Sequence, residues 1–301
     1  MRSLLVMLLG GLALAIASPA QAVLNVLACE PEWAALVNEI AGDRARVFAA
    51  TTAMQDPHRI EARPALIAQA RRADLLVCTG AELEIGWLPL LQRESGNPKI
   101  QDGRPGHFEA ALQVRLIEKP ATVDRSMGDV HAAGNPHVHL DPRNLLAIAD
   151  ALGKRLAVVD PANEAHYIQR LAGFADRLRA AIARWERETS ALRGLPVVVH
   201  HRSLSYLCNW LGLDVVADLE PKPGVEPSAA YTAQLLKQLQ ARPAAMVLRT
   251  AYQSPRASEW IAGQTGIKAV VLPYTVGGST RASDLFALFD DSLSRLLDAA
   301  R

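Results

Sequence analysis

The stretch "PANEAHYIQRLAGFADRLRAAIARWERETSAL", residues 161–192, decides the fold that the sequence predicts. Its apolar residues recur at helical spacing over about 30 residues, which corresponds to a helix about 45 Å long. Pro161 suits the first turn and Asp160 the N-cap, while Gly194 and Pro196 end the pattern. Such a helix between two α/β segments indicates a rigid connection rather than a flexible Gly/Ser-rich linker. The alternative is a long surface helix within one domain.

On both sides of this helix, short apolar runs alternate with helical patterns. The runs "VLNVLAC", "RVFAAT" and "DLLVCTG" precede it, and "LPVVVHH", "DVVADL", "AAMVLRT" and "AVVLPYT" follow it. Continuous apolar strands of this kind are typical of parallel sheets that helices cover on both faces. We therefore predict an α/β fold of two parallel-sheet lobes, residues 23–158 and 194–301, joined by a helix over residues 159–193.

The N-terminus has the pattern of a secretory signal peptide over residues 1–22. Arg2 supplies the positive start, "SLLVMLLGGLALAIA" the apolar stretch and "AQA" the cleavage pattern. The alternative is a lipoprotein acylation box, which "VLAC" ending at Cys29 loosely resembles. However, "VLNVLA" has the character of a first strand beyond the cleavage site. We expect an exported, soluble mature chain.

The composition narrows the classes of partner. Half of the 301 residues are hydrophobic, which is enough for a sizeable core, and the formal net charge is only +1. Nucleic-acid binding needs a clustered basic surface, so this balance argues against it. The sequence contains no evident basic amphipathic helix that would bind a membrane surface.

The three cysteines are predicted to have different roles. Cys29 and Cys78 each end an apolar run, so both are expected at the carboxyl edges of neighbouring parallel strands, where a disulfide suits an oxidising compartment. Cys208 lies in a helical pattern and is expected to be a small core residue. Because no CxxC spacing occurs, we expect no thiolate metal site.

Histidines occur at three places where a parallel α/β fold forms a ligand cleft. Ligands of such folds bind beyond the carboxyl ends of the strands. These places hold His58, the pair His137 and His139, and the pair His200 and His201. Taken singly, each is more often a surface or hydrogen-bonding residue, but together they favour a metal site, since imidazole suits Zn²⁺, Cu²⁺ and Ni²⁺.

Strand periodicity restricts which histidines can share the cleft. Adjacent residues of a strand face opposite sides, so only one of His200 and His201 can enter it. His137 and His139 face the same side if extended, so periodicity does not choose between them. His131 lies in a loop predicted over residues 118–136, and its role is left open. His107 and His166 are expected to be ordinary surface residues.

Three motifs, in order along the chain, resemble the signature regions of the zinc and manganese receptors of ABC importers. They are "DPHRIEARPALIAQARRADLLVCTGAELE", "GNPHVHLDPRN" and "VVVHHRSLSYLCNWLGL". The resemblance spans essentially the whole mature chain. It implies a monomeric periplasmic binding protein, not an enzyme, with two α/β lobes, one long helix and a metal ion in the interlobe cleft. The implied partner is an ABC permease in the inner membrane, and a periplasmic metallochaperone is a further candidate.

The resemblance also implies four metal ligands. It selects His58, His137 by its spacing to "LDP", and His201 by its distance to "YLCNWLGL". The fourth family ligand is a carboxylate near the C-terminus, but "LPYTVGGSTRASDLF" has no acid directly after the last strand. Asp284 is the first acid in this segment and is our candidate, with the N-cap of the terminal helix as its alternative role. Glu220 and Glu226 are expected to precede the helix that follows them.

The expected ion is Zn²⁺, and Mn²⁺ is the alternative. Manganese prefers oxygen-rich coordination, and the manganese receptors resemble this chain less at His201. Zinc receptors of the family often carry a long loop rich in His and Asp before the second ligand. Here the loop is short and contains His131, Asp124 and Asp129, which argues against strong metal-collecting power.

Two other classes of protein remain in competition. A secreted zinc hydrolase needs an open coordination position and a nearby general base. The sequence has no HExxH motif, and three histidines plus a carboxylate would fill a tetrahedral site. An adhesin-like surface protein with a structural metal is the third possibility.

Overall fold

A computed structural model describes residues 23–124 and 128–301 of the chain. The predicted signal peptide, residues 1–22, lies outside the described residues. The first of two parallel sheets has the strand order β2-β1-β3-β4. Its strands are β1 (Leu24–Ala28), β2 (Ala45–Ala49), β3 (Leu75–Cys78) and β4 (His107–Glu109).

The second sheet repeats this arrangement, with the order β6-β5-β7-β8 and parallel pairing throughout. Its strands are β5 (Pro196–Val199), β6 (Asp214–Asp218), β7 (Met246–Thr250) and β8 (Lys268–Leu272). Seven of these strands coincide with the apolar runs of the sequence. The predicted fold of two parallel-sheet α/β lobes is therefore confirmed. We call the parts of the chain before and after the long helix the first lobe and the second lobe.

Helices cover both faces of each sheet. They are α1 (Pro31–Ala41), α2 (Pro64–Arg72), α3 (Leu88–Ser95), α4 (Pro142–Val159), α5 (Glu164–Glu188), α6 (Ser205–Leu211), α7 (Ala229–Ala241), α8 (Arg256–Thr265) and α9 (Leu285–Ala300). Local sequence explains several of their ends: at α4 the Asp141 carboxylate accepts from the backbone N–H of Arg143, and Pro142 opens the first turn. Over residues 23–124 and 128–301, none of the helices is apolar over a length sufficient to span a bilayer.

The long helix is shorter than the sequence pattern indicates. Helix α5 has 25 residues, about 37 Å at 1.5 Å per residue, and 3₁₀ turns occupy Pro161–Asn163 before it and Ser190–Leu192 after it. Asp160 is not its N-cap. Its carboxylate instead accepts from the Tyr167 hydroxyl at 2.6 Å. The 3₁₀ turn Pro161–Asn163 separates Asp160 from the start of α5.

Helix α5 contacts both lobes. In its middle, Arg177 pairs with Glu39 of α1 at 2.6 Å. Near its end, the indole N–H of Trp185 donates to Asp290 of α9 at 2.7 Å. Since α9 packs on β8, the helix is bonded to the first lobe through α1 and to the second through α9.

The cysteines lie as predicted. Cys29 follows β1, Cys78 is the last residue of the adjacent strand β3, and the two form a disulfide. A sulfur bonded to Cys78 is not available for acylation, so Cys29 is not an acylation site in this fold. Cys208 is a buried free cysteine, and burial raises its pKa to about 12, which makes it an unreactive core residue.

Strand β4 is missing from the sequence prediction. It has three residues, His107–Glu109, two of them polar, and it therefore lacks the apolar run that identifies the other strands. The sequence predicts a surface position for His107, but its side chain is only 7% exposed. His166 is half-buried on α5, with Nε2 2.9 Å from the carbonyl oxygen of Ala41.

The disulfide should contribute measurably to stability. It closes a loop with a sequence separation of 49, and crosslinks of this kind stabilise proteins by about 2–4 kcal/mol, mainly by restricting the unfolded chain. We expect the double variant Cys29→Ala/Cys78→Ala to lose this amount in urea denaturation. A dithiol reductant should destabilise the native protein and leave the double variant unchanged; equal sensitivity of both would contradict the prediction.

Candidate metal centre

Four histidine rings meet between the lobes. His58, His131 and His137 come from the first lobe and His201 from the second. The ring centroids lie 5.3 Å apart for His58 and His131, 5.6 Å for His58 and His137, and 5.7 Å for His137 and His201. The distances are 6.2 Å for His58 and His201 and 6.5 Å for His131 and His137. We call this group the histidine cluster; the structure thus brings together the three histidines singled out in the sequence and adds His131.

The turn "DPHR" after β2 presents His58 to the cluster. The Asp56 carboxylate accepts from the backbone N–H of His58 at 3.1 Å, as Asp does in tight turns, and from its ring Nδ1 at 2.7 Å. The Trp87 indole donates to the carbonyl of Pro57 at 2.9 Å and holds the turn in place. Asp56 therefore both shapes the turn and orients the imidazole.

A carboxylate of the second lobe orients His201. Its ring Nδ1 donates to Glu220 at 2.6 Å, and the same carboxylate oxygen accepts from the backbone N–H of Gly224 at 2.7 Å. His201 follows β5 and Glu220 follows the neighbouring strand β6, so the parallel order brings them together. The expectation that Glu220 serves the start of the next helix is wrong, because α7 is capped by Ser228.

A tyrosine of the second lobe orients His137. The ring Nδ1 lies 2.8 Å from the Tyr274 hydroxyl, and the backbone N–H of His137 donates to the Asn135 side chain at 3.0 Å. Tyr274 follows the last strand, β8, and is buried. Burial raises its pKa above the usual value of 10, so that it remains a neutral hydroxyl.

These contacts determine which ring nitrogen is available. In His58 and His201 the Nδ1 atom donates to a carboxylate, which leaves Nε2 with the lone pair that a metal needs. In His137 the partner of Nδ1 is the Tyr274 hydroxyl, which can accept from Nδ1 and so permits the same tautomer. The Nε2 atoms of His58 and His131 lie 3.2 Å apart. Two nitrogens on a tetrahedral ion with bonds of 2.0–2.1 Å lie about 3.3 Å apart, so this pair has the spacing of two ligands.

The electrostatic environment keeps two of the rings neutral. Burial, together with the neighbouring histidines, lowers the pKa of His131 to about 4 and holds the pKa of His137 well below 6.5. At neutral pH both lone pairs are therefore free to bind a cation.

Asp284 does not join the histidine cluster. It is exposed at the N-cap of α9, where its carboxylate accepts from the backbone N–H groups of Phe286 at 2.9 Å and Ala287 at 2.8 Å. The structure therefore gives Asp284 its alternative role, that of a helix cap, and we do not retain it as a metal ligand.

The second histidine of each pair lies outside the cluster. His200 is buried, with Nε2 3.7 Å from Glu220, so both members of that pair turn towards the same carboxylate rather than to opposite sides. His139 is buried between the lobes, with Nε2 2.9 Å from the carbonyl oxygen of Tyr274. Neither is in ring contact with His58 or His201.

One other group brings potential donors close together. Within residues 23–124 and 128–301, Cys29, Cys78 and Glu84 are the one set of three His, Cys, Asp or Glu side chains whose donor atoms all lie within 4.8 Å of each other. Because the two sulfurs are bonded to each other, they supply no thiolate ligand. Among the described residues no three histidine donors meet this spacing, although Nε2 of His58 and His131 lie 3.2 Å apart.

The family model described as ZnuA, zinc-uptake complex component A, periplasmic, matches residues 26–299. The chain belongs to this family. The resemblance inferred from the three motifs is thereby confirmed.

Curated relatives include proteins named for either metal. The zinc-binding lipoprotein AdcA of Streptococcus pneumoniae is 24% identical over 238 residues, which is 78% of this chain and 46% of AdcA. The manganese transporter lipoprotein PsaA of Streptococcus pneumoniae is 27% identical over 158 residues, 52% of this chain and 48% of PsaA. The chain thus spans about half the length of the curated relatives it matches.

Solved structures share the fold. A crystal structure of ZnuA has 23% identity and a TM-score of 0.75, and the match covers 93% of this chain and 100% of that one. The binding protein FpvC from Pseudomonas aeruginosa, in complex with Mn²⁺, has 23% identity and a TM-score of 0.76 over 92% and 98% of the chains. At such identities these matches support the two-lobed fold alone.

The outer partners of the rings should matter to metal affinity. Loss of such a partner typically weakens metal binding about 10- to 100-fold, because the ring loses its orientation and tautomer. We expect Glu220→Gln to weaken zinc binding by this factor in competition with a chromophoric chelator. The matched control is Glu226→Gln, in the exposed part of the same loop; equal affinities of the two variants would contradict the role given to Glu220.

Proposed function

We propose that this chain is the periplasmic receptor of an ABC importer that captures zinc ions and delivers them to the permease in the inner membrane. The observation that carries the proposal is the convergence of histidines from both lobes, with the outer nitrogens of three rings engaged, in a chain of a zinc-uptake family. A metal ion at the cluster would bridge the lobes.

The proposed ligands include His58, His137 and His201. Each follows a strand or precedes a helix at the interlobe cleft, and each keeps Nε2 uncommitted to the outer partners described above. A cavity of about 560 Å³ lined by His131, His137 and His201 adjoins the cluster and supplies a route from solvent. A hydrated ion can therefore reach the rings.

Zinc is the proposed cargo because the donors are nitrogen atoms. Imidazole ligands suit Zn²⁺, whereas Mn²⁺ favours carboxylate, carbonyl and water. A manganese receptor remains the alternative, since PsaA among the relatives is named as a manganese protein. Comparison of the two dissociation constants decides between them.

A hydrolase fits the site less well. It would need a general base beside a metal-bound water, but the nearest carboxylates, Asp56 and Glu220, accept hydrogen bonds from ring nitrogens. An adhesin-like role with a structural metal predicts that a strain lacking the protein grows normally in zinc-poor medium. The proposed receptor predicts impaired growth there. A periplasmic metallochaperone is a second proposed partner, and the receptor is proposed to act as a monomer.

Binding should be stoichiometric and should depend on individual rings. We expect one zinc per chain in equilibrium dialysis, bound more tightly than manganese, because the rings form one site. The variants His58→Ala, His137→Ala and His201→Ala should each lose more than about tenfold in zinc affinity. His200→Ala, which removes the ring outside the cluster, should lose less; equal losses at 200 and 201 would contradict the ligand assignment.

The pH dependence should reflect the lowered pKa values. Metal and proton compete for the same lone pair, so a ring opposes metal binding only when the pH falls below its own pKa. For His131 that value is about 4, and for His137 it lies well below 6.5. These two rings carry no proton to release at pH 6, so the loss of affinity that their protonation causes begins only at lower pH, for His131 at about pH 4.

Calorimetry in buffers of different ionisation enthalpy tests this prediction by counting released protons. We expect at most two protons per zinc at pH 6, the number of remaining rings in the cluster. Release of three would show that at least one of His131 and His137 is charged in the free protein, and release of four that both are, contrary to their buried positions.

A further inference from the structure

His131 is the one member of the histidine cluster to which no role was assigned from the sequence. Its ring is half-buried, and its Nε2 atom lies 3.2 Å from Nε2 of His58. The carboxylate expected as the fourth ligand, Asp284, caps α9 instead.

We propose that His131 is the fourth metal ligand, so that four nitrogen atoms hold the ion and the site selects cations that favour nitrogen, such as Zn²⁺, over Mn²⁺. This inference rests on the proposed function, which it deepens by naming the residue that sets the selectivity.

The first lobe provides a built seat for His131. The ring forms a hydrogen bond with the backbone of Ala81, and the next residue, Ala132, donates its N–H to the Glu82 carboxylate at 2.7 Å. Ala81 and Glu82 adopt φ values of +49° and +67°, which residues other than glycine rarely adopt. Backbone strain of this kind persists where the surrounding structure enforces it, and here the strained residues are the two that hold residues 131 and 132.

The second lobe holds the same loop from the other side. The backbone N–H of Asp129 donates to the carbonyl of Pro223 at 2.9 Å, and the Arg59 guanidinium lies 3.5 Å from the Asp129 carboxylate and 3.3 Å from the Gly224 carbonyl. A Cβ on Gly224 would overlap the Asp129 carboxylate, so the side chain of Asp129 lies directly against the backbone of Gly224. Gly224 also donates to Glu220, so this contact continues to the outer partner of the His201 ring.

The nearby carboxylates are engaged elsewhere. Asp56 accepts from the His58 ring, Glu220 accepts from His201 and Gly224, and Asp129 faces Arg59. Tyr274, which follows the last strand, is a neutral hydroxyl because burial raises its pKa. Asp56 Oδ1 and Glu220 Oε2 are thus committed to the rings that they orient, and Tyr274 carries no charge, whereas His131 places its Nε2 atom 3.2 Å from Nε2 of His58.

The distances from His131 to two other rings of the cluster are close to those expected for ligands of one ion. With Nε2 bonds of 2.0–2.1 Å in a tetrahedron, neighbouring ring centroids would lie about 5.2 Å apart. His131 is 5.3 Å from His58 and 6.5 Å from His137, so a ring shift of about 1 Å closes the longer distance. Rotamer adjustment of a half-buried loop residue can supply that shift.

The test compares the two candidates for the fourth ligand. Zinc and manganese dissociation constants are measured for the native protein, His131→Ala and Asp284→Ala, together with the visible absorption of bound Co²⁺, which reports the donor set. We expect His131→Ala to weaken zinc binding at least about tenfold and to change the Co²⁺ spectrum. Asp284→Ala should keep native affinity and spectrum, although loss of the cap lowers its melting temperature.

A third variant tests selectivity directly. His131→Asp places an oxygen donor in the same seat, and the ratio of zinc to manganese affinity should fall at least about tenfold. Equal metal affinities of His131→Ala and Asp284→Ala, with unchanged Co²⁺ spectra, would overturn this inference while the His58 and His201 variants still upheld the proposed function. A native protein that binds no divalent ion would instead overturn the proposed function itself. Melting of the metal-free variants verifies that each one folds.

Discussion

The attachment of helix α5 to both lobes is the constraint on which the site depends. The carboxyl ends of two parallel sheets must face each other at a fixed separation, because His201 has to meet rings carried by the other sheet. Arg177 fastens α5 to α1, while Trp185 lies 5.0 Å from Phe289 of α9 in ring-centroid distance and donates to Asp290 of the same helix. A packed aromatic contact supplemented by an indole hydrogen bond resists hinge motion better than a polar linker would.

Buried polar contacts between the lobes make the arrangement more specific. The Thr275 hydroxyl donates to the Glu32 carboxylate, and His139 Nε2 meets the Tyr274 carbonyl, with Glu32 and His139 almost inaccessible to solvent. His139 Nδ1 lies 3.1 Å from Glu32 Oε1, without the alignment of a hydrogen bond. Buried polar groups such as these are costly unless they are hydrogen-bonded. Their hydrogen-bond partners belong to the other lobe, so separation of the lobes leaves them without partners until water replaces them.

Local sequence patterns predicted the elements well, and long-range partners poorly. Continuous apolar runs identify seven strands because buried parallel strands need them, whereas β4 has too few residues to show a pattern. His58, His137 and His201 could be named from strand ends and family motifs. Glu220 could not, because it meets His201 only through the order of neighbouring strands in the second sheet. Tyr274 could not, because its partner His137 belongs to the other lobe. The first acid after the last strand, Asp284, was misleading because a helix cap and a metal ligand can both be an Asp at the start of a helix.

The neutral state of the rings connects the fold to the chemistry of capture. Imidazoles brought together in water would share protons, and a metal would then have to displace them at a cost that rises as the pH falls. Burial removes this competition for His137, and burial with neighbouring rings does so for His131, since charge on either ring is unfavourable in that position. Folding therefore supplies these two rings of the proposed site in their neutral form before an ion arrives. A divalent cation is then the species that best satisfies the clustered lone pairs, because it removes their mutual repulsion and serves both lobes at once.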